Sequence, residues 1–214
     1  MTDLTLIGFR YSVYTRIARL GLIETGLSAS YVEVDPFADT PDPALARHTP
    51  FGRVPVLRHG DFTLTETAAI LRYLAAVGEG AHLVPNDPKA AARMAQVMGV
   101  VDAYGYWPMV RQVFSHGFYQ PAMGEAADPE EISHGLAGAA PVLTLLEEIA
   151  AEGRVLGGGQ ITLADLHLAP MVDCFVRVPD GAAALAAHPR LSRWWEGVAD
   201  RPSLRATDPF ADGA

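Results

Sequence analysis

Only one cysteine, Cys174, occurs in the 214 residues. That excludes an intrachain disulfide, a Cys-x-x-Cys redox pair and a thiolate metal cluster, so any thiol chemistry must use a thiol brought in from outside. Positive charge is also scarce: 16 Lys and Arg stand against 25 Asp and Glu, for a formal net charge of −9, with both signs spread along the chain. Nothing gathers the field that a phosphate backbone requires, which argues against a nucleic-acid partner. No apolar run approaches the roughly 20 residues of a membrane span, so no membrane partner is expected and the chain reads as soluble. Its first residues have neither the basic n-region of a secretory signal nor the Arg-rich character of a transit peptide, which predicts a cytoplasmic protein. The 7 histidines show no metal-ligand spacing. No metal is expected, and His48, His82 and His167 read as surface or satisfied polar groups.

What is present begins with a strand pattern over Leu4 to Phe9. From Val13 the spacing turns helical, through Val13, Ile17, Leu20 and Glu24, until Gly26 closes it. Tyr31 to Val34 alternate as a second strand, and Pro36, Pro41 and Pro43 then mark irregular chain with at most a short helix between Pro43 and His48. Val54 to Leu57 and Phe62 to Leu64 predict an antiparallel hairpin. Glu66 to Val77 predicts a helix with Ala69, Ile70, Tyr73, Leu74 and Val77 on one stripe. The order is βαβαββα.

A stretch rich in Gly and Pro runs from Gly78 to Pro88, and strand signals stop there. Helices are expected over Lys89 to about Tyr119, with Pro108 as a kink, then over Pro129 to Glu152, Thr162 to Val176 and Pro189 to Asp200. Gly157 to Gly159 reads as a flexible loop, and Ser203 to Ala214 as an irregular tail. The division expected is residues 1–78, a linker 79–88, and an all-α domain 89–214.

The strongest local signal is Gly52-Arg53-Val54-Pro55-Val56, followed by Thr65-Glu66-Thr67. Pro55 opening an edge strand is a candidate cis peptide, which would turn the N–H and C=O of Val54 outward to pair with an extended peptide. Glu66 and Thr67 stand at a helix start, where unpaired N–H groups and the positive dipole end favour a carboxylate. Together they describe a receptor for a small peptide with an α-amino acid head. Read singly, Pro55 is also an ordinary edge proline, Glu66 an acid complementing the dipole, and Thr67 an N-cap.

The segments Pro50 to Leu57 and Leu64 to Ile70 resemble the glutathione-binding segments of the cytosolic glutathione S-transferases, of the bacterial, serine-type kind. The resemblance implies a thioredoxin-like N-terminal domain with a mixed sheet, an all-helical C-terminal bundle, and glutathione as co-substrate without a metal. By the same resemblance Val54 pairs with the cysteinyl part of glutathione, Glu66 and Thr67 hold the γ-glutamyl amine and carboxylate, and Arg53 suits the glycyl carboxylate.

Glutathione reacts as its thiolate, and a free thiol is only a few per cent ionised at neutral pH. The first strand-to-helix turn, Phe9 to Arg16, carries the hydroxyls that could stabilise the anion. Aligned with serine-type transferases, Ser12 falls at their catalytic serine. The alternative is that Ser12 only caps the helix. Tyr14 and Tyr11 are rivals, since other members of the family use a tyrosine, and the absence of cysteine here argues against the disulfide-exchanging members.

In the helical half, Val100, Tyr104, Trp107, Arg111 and Phe114 share a face at helical spacing, a stripe that suits core packing or pocket. Tyr104, Trp107 and Arg111 are the candidates for a second-substrate pocket, with Arg111 as a cation on an aromatic face. Thr162 and Asp165 read as a capping pair that resembles the family's folding motif, and Trp194 and Trp195 as helix packing. The activity implied is transfer of aryl or alkyl groups to glutathione from an electrophilic, apolar second substrate, as in detoxification. A glutathione-dependent isomerase, dehalogenase or peroxidase, and a non-catalytic binding module, are the alternatives. The resemblance also implies a homodimer, with Asp102 lending charge to the neighbour's site.

Overall fold

The computed structural model describes residues 3–40, 42–157 and 159–211. Pro41, Gly158 and residues 212–214, assigned above to irregular chain, loop and tail, lie outside the described residues. The chain divides into two compact units, Met1–His82 with Arg205–Gly213, and Leu83–Leu204.

The first unit follows the expected order: β1 (Leu4–Gly8), α1 (Val13–Glu24), β2 (Ser30–Glu33), α2 (Pro43–Ala46), β3 (Val56–His59), β4 (Phe62–Leu64) and α3 (Thr67–Val77). The strands form one sheet in the order β2-β1-β3-β4. β1 and β2 are parallel, while β3 is antiparallel to β1 and to β4, so the sheet is mixed and the fold thioredoxin-like. Alternation along β1 explains the two layers, because successive side chains leave a strand on opposite faces. Leu4 and Leu6 join Leu57, Ala18, Leu22, Ile70 and Leu74 under α1 and α3. Ile7 points the other way, to Val34, Leu45 and Val56 beside α2. Each such buried aliphatic side chain contributes about 1.5–3 kcal/mol relative to exposure.

β3 starts two residues later than the pattern predicted, at Val56. Pro55 has no N–H to give a ladder, so pairing begins only beyond it. The Val54–Pro55 bond is cis.

The second unit is all-helical. α4 (Pro88–Val100) runs on without a break through Val101–Gly105 into α5 (Trp107–Tyr119) and a last turn at Gln120–Ala122. From Val101 the winding widens: the Tyr106 N–H reaches back five residues to the Val101 carbonyl, and Gln120 does the same to Ser115. Pro108, which cannot donate, sits inside this wide stretch. α6 (Pro129–Ala151) lies close against it at Gly135, where a Cβ would come 2.8 Å from the Pro108 carbonyl oxygen. α7 (Leu163–Val176) is buried along nearly its whole length, followed by α8 (Pro179–Ala186), α9 (Pro189–Val198) and α10 (Pro202–Ala206). α8 lies in a stretch for which the pattern predicted no helix. The tail is likewise not irregular from Ser203: α10 takes its first residues, and Ser203, Leu204 and Thr207 are buried.

Among the described residues no helix is long and apolar enough to cross a membrane.

Candidate active site

Sheet direction decides which loops meet. Because β1, β2 and β4 point one way and β3 the other, the carboxyl ends of β1 and β4 and the amino end of β3 share one end of the sheet. Ser12 follows β1, Val54 and Pro55 precede β3, and Glu66 follows β4, so three segments far apart in sequence open at the same edge.

Ser12 is the N-cap of α1, with φ −74° and ψ 122°. Its Oγ accepts a hydrogen bond from the Thr15 N–H at 3.3 Å. The hydroxyl proton has no acceptor among the described residues, so Oγ is polarised by the helix start and still able to donate. Thr15, fully buried, accepts in turn from the Phe9 N–H at 3.2 Å and ties the turn from inside.

Tyr11 precedes the cap. Its ring lies 5.6 Å from Phe9, edge-on, and 5.4 Å from Phe210. The Arg10 guanidinium sits 5.2 Å from the Tyr11 ring centroid. Tyr14 is half-buried on the first turn of α1.

The Val54–Pro55 bond is cis and Pro55 is buried. The Val54 side chain packs against the cluster formed by Ile7, Val34, Leu45 and Val56, whereas its N–H and C=O form no hydrogen bond with any described residue. Arg53 is exposed and makes no side-chain hydrogen bond among the described residues, and Gly52 before it turns the chain at φ 59°.

Glu66 has φ 65° and ψ 113° and occupies the N-cap of α3, with its carbonyl accepting from the Ile70 N–H at 2.9 Å. Thr67 is therefore not the cap: it is already helical, 6% exposed, on the first turn. A non-glycine residue at such a φ costs of order 1–3 kcal/mol. The conformation holds an exposed carboxylate, bonded to no described residue, beside the free N–H groups of a helix start.

The family model described as "Glutathione S-transferase, N-terminal domain" matches residues 6–81, and "Glutathione S-transferase, C-terminal domain" matches residues 110–202. Glutathione S-transferase 3 of Zea mays is 31% identical over 211 residues, 97% of this chain and 94% of its own length. The chain belongs to the glutathione S-transferase family. A structure of glutathione S-transferase I bound with lactoylglutathione is 25% identical with a TM-score of 0.82, covering 96% of this chain and 98% of that one. A theta class glutathione S-transferase from the citrus canker pathogen Xanthomonas axonopodis pv. citri, with glutathione bound, is 25% identical with a TM-score of 0.80 and covers 97% of each chain.

The other three candidates, Tyr104, Trp107 and Arg111, lie in the helical unit of this transferase-family chain. Tyr104 and Trp107 are 68% and 61% exposed, and the Arg111 guanidinium lies 5.9 Å from the Trp107 ring centroid. Phe114 is buried, so the five residues do not form one core stripe. The wide winding from Val101 changes the angular step on which that grouping relied.

Asp165 closes a capping box with Thr162, accepting from its N–H at 2.6 Å and its hydroxyl at 2.8 Å, and takes the Trp194 Nε1–H at 2.7 Å. Burial pushes its carboxyl above the usual carboxylate range, against these donors. Asp102 has a partner within the chain: its Oδ1 is 2.7 Å from Nε2 of the buried His167.

Two contributors to the turn that carries Ser12 were not foreseen. Glu33, on β2, accepts from the Arg10 N–H at 2.9 Å and from the Tyr31 hydroxyl at 2.5 Å. Burial, reinforced by Glu33, raises the Tyr31 phenol well above an ordinary tyrosine, which keeps it a donor. Phe210 comes from the tail. Among the described residues no three His, Cys, Asp or Glu side chains are grouped as a metal site would need.

Proposed function

We propose that this chain is a glutathione transferase of the serine type, with Ser12 as the residue that donates a hydrogen bond to the glutathione sulfur. The observation that carries the reading is the convergence of Ser12, the cis Val54–Pro55 segment and Glu66 at one end of the sheet. An extended tripeptide laid across that edge pairs its cysteinyl backbone with the free N–H and C=O of Val54. Its γ-glutamyl amine meets the Glu66 carboxylate, and its γ-glutamyl carboxylate meets Thr67 and the N–H groups that open α3. Arg53 is the cation within this segment for the glycyl carboxylate.

The sulfur then faces Ser12. A hydroxyl donor plus the positive end of α1 favours the thiolate, and lowering a thiol pKa by ~2 units corresponds to ~2.7 kcal/mol. Tyr11 and Tyr14 remain the rival donors. The thiolate attacks an electrophilic carbon of the second substrate, forming the C–S bond as the leaving group departs with its electron pair. Tyr104, Trp107 and Arg111 are our candidates for the apolar side of the second substrate. The reading extends to a cytoplasmic homodimer, as the family resemblance implies, and to kinship with bacterial members such as the Xanthomonas enzyme.

Retention on immobilised glutathione, followed by a conjugation assay with an aryl halide beside a hydroperoxide reduction assay, tests it. Retention with conjugation is expected. Retention with peroxide reduction alone would favour the peroxidase alternative, and failure of the folded protein to be retained would favour a non-catalytic module.

A further inference from the structure

The tail returns to the first unit and ends beside the catalytic turn. Thr207 is buried, and Asp208 then forms a tight turn in which its Oδ1 accepts the Phe210 N–H at 3.0 Å. That turn sets the ring of Phe210 against Tyr11, 5.4 Å between centroids and tilted by 35°. Tyr11 continues edge-on to Phe9, and Phe9 edge-on to Phe37 at 6.0 Å. The result is a strip of four aromatic rings that runs from the tail across the turn leading into Ser12. The strip is not core: Phe9, Tyr11 and Phe210 are half-buried and Phe37 is 68% exposed. Aromatic surface left partly open beside a reactive group favours flat, polarisable ligands, because ring pairs add to plain area burial.

We infer that Phe210 is a specificity-determining residue, which with Tyr11 forms a wall that ranks second substrates by the aromatic character of the group joined to sulfur. The inference rests on the transferase reading and adds to it the role of a residue outside every segment that carries the resemblance. Phe210 touches no reacting atom. It acts on the affinity for the group being transferred.

The test is calorimetric and uses the full-length protein with two conjugates, S-(2,4-dinitrophenyl)glutathione and S-ethylglutathione. The wild type is expected to prefer the aryl conjugate. Phe210→Ala should weaken the aryl conjugate about threefold to tenfold, the range a lost ring contact supports, and the ethyl conjugate less than twofold. Phe210→Tyr should restore the preference to within twofold, and Phe210→Leu, which keeps apolar bulk for folding, should lose most of it. Equal weakening of both conjugates in Phe210→Ala and Phe210→Leu would overturn the inference, since the ring would then only support the fold, and so would no change in either. A folded wild type that binds neither conjugate overturns the transferase reading and this inference with it. One that binds both with the same ratio in every variant overturns this inference alone.

Discussion

Ser12 Oγ accepts the Thr15 N–H at 3.3 Å while its own proton has no acceptor among the described residues. Capping and catalysis, which compete as explanations of Ser12 in the sequence, therefore use different parts of one hydroxyl. The lone pair belongs to the helix, and the role proposed for Ser12 needs only the proton. Glu33, 23 residues from Arg10, steadies the same turn by accepting the Arg10 N–H.

Ser12→Ala is expected to lower kcat/KM at pH 6.5 by about a hundredfold, following from the ~2-unit thiol shift assigned to this site. Retention on immobilised glutathione should persist, because the head-group contacts are elsewhere. The pH–rate profile is the sharper readout. Its acid limb should move up toward the free thiol value of about 8.5. A profile that stays in place would assign the proton donor to Tyr14 or Tyr11.

Glu66 separates binding from strain. Glu66→Gln keeps shape and removes charge, and KM for glutathione should rise about tenfold or more, the scale of a charged hydrogen bond. Glu66→Gly should lose binding too, yet unfold no earlier than the wild type, because glycine adopts φ 65° without the penalty a side chain meets. If Glu66→Gly melts well below Glu66→Gln, the conformation is not strained.

How much of this was legible follows from the range of each signal. The hairpin and α3 are local patterns, and both are present. The helix starts carry a repeated sign: Pro43, Pro88, Pro129, Pro179, Pro189 and Pro202 each stand at a first helical position, the place where a missing N–H costs nothing. Reading Pro179 and Pro202 in that way would have predicted α8 and α10. The contacts of Glu33 with Arg10 and of Phe210 with Tyr11 had no such sign, since they depend on strand pairing and on a chain return that no short window encodes. The exposure of Tyr104 and Trp107 was hidden because the helix there departs from the period used to read it.

Gly8 is fixed by the approach of α1. A Cβ at this position would lie 2.4 Å from Thr15 Cγ2 and 2.9 Å from Thr15 Oγ1. Thr15 cannot yield without losing the Phe9 N–H or pulling its own N–H from Ser12. Gly8→Ala should therefore destabilise by about 1–3 kcal/mol, the usual cost of overpacking, and lower kcat more than it raises KM for glutathione. Gly8→Ala combined with Thr15→Ser, which removes the closer of the two Thr15 atoms, should recover part of the stability in urea unfolding. Without that recovery, the clash is not with the Thr15 methyl but with its Oγ1 or with Tyr31, whose Cε2 would lie 3.2 Å away.

Asp165 holds the start of α7 and the Trp194 indole together, and its removal strands several donors at once. Asp165→Ala leaves the Thr162 N–H, the Thr162 hydroxyl and the Trp194 Nε1–H buried without their acceptor, and should cost about 3–5 kcal/mol. Asp165→Asn can satisfy only part of the set and should cost less. The pH dependence follows from the direction of its shift. Burial raises the carboxyl in the folded chain above its unfolded value of about 3.9, so between the two values the folded state binds more protons. Stability from this group is thus fully present below the unfolded value and declines as pH rises toward the folded one. The difference in unfolding free energy between wild type and Asp165→Asn, which cancels the other carboxylates, should narrow as pH is raised from about 4. A difference that widens over the same range would mean that the three donors outweigh burial and hold the carboxylate ionised.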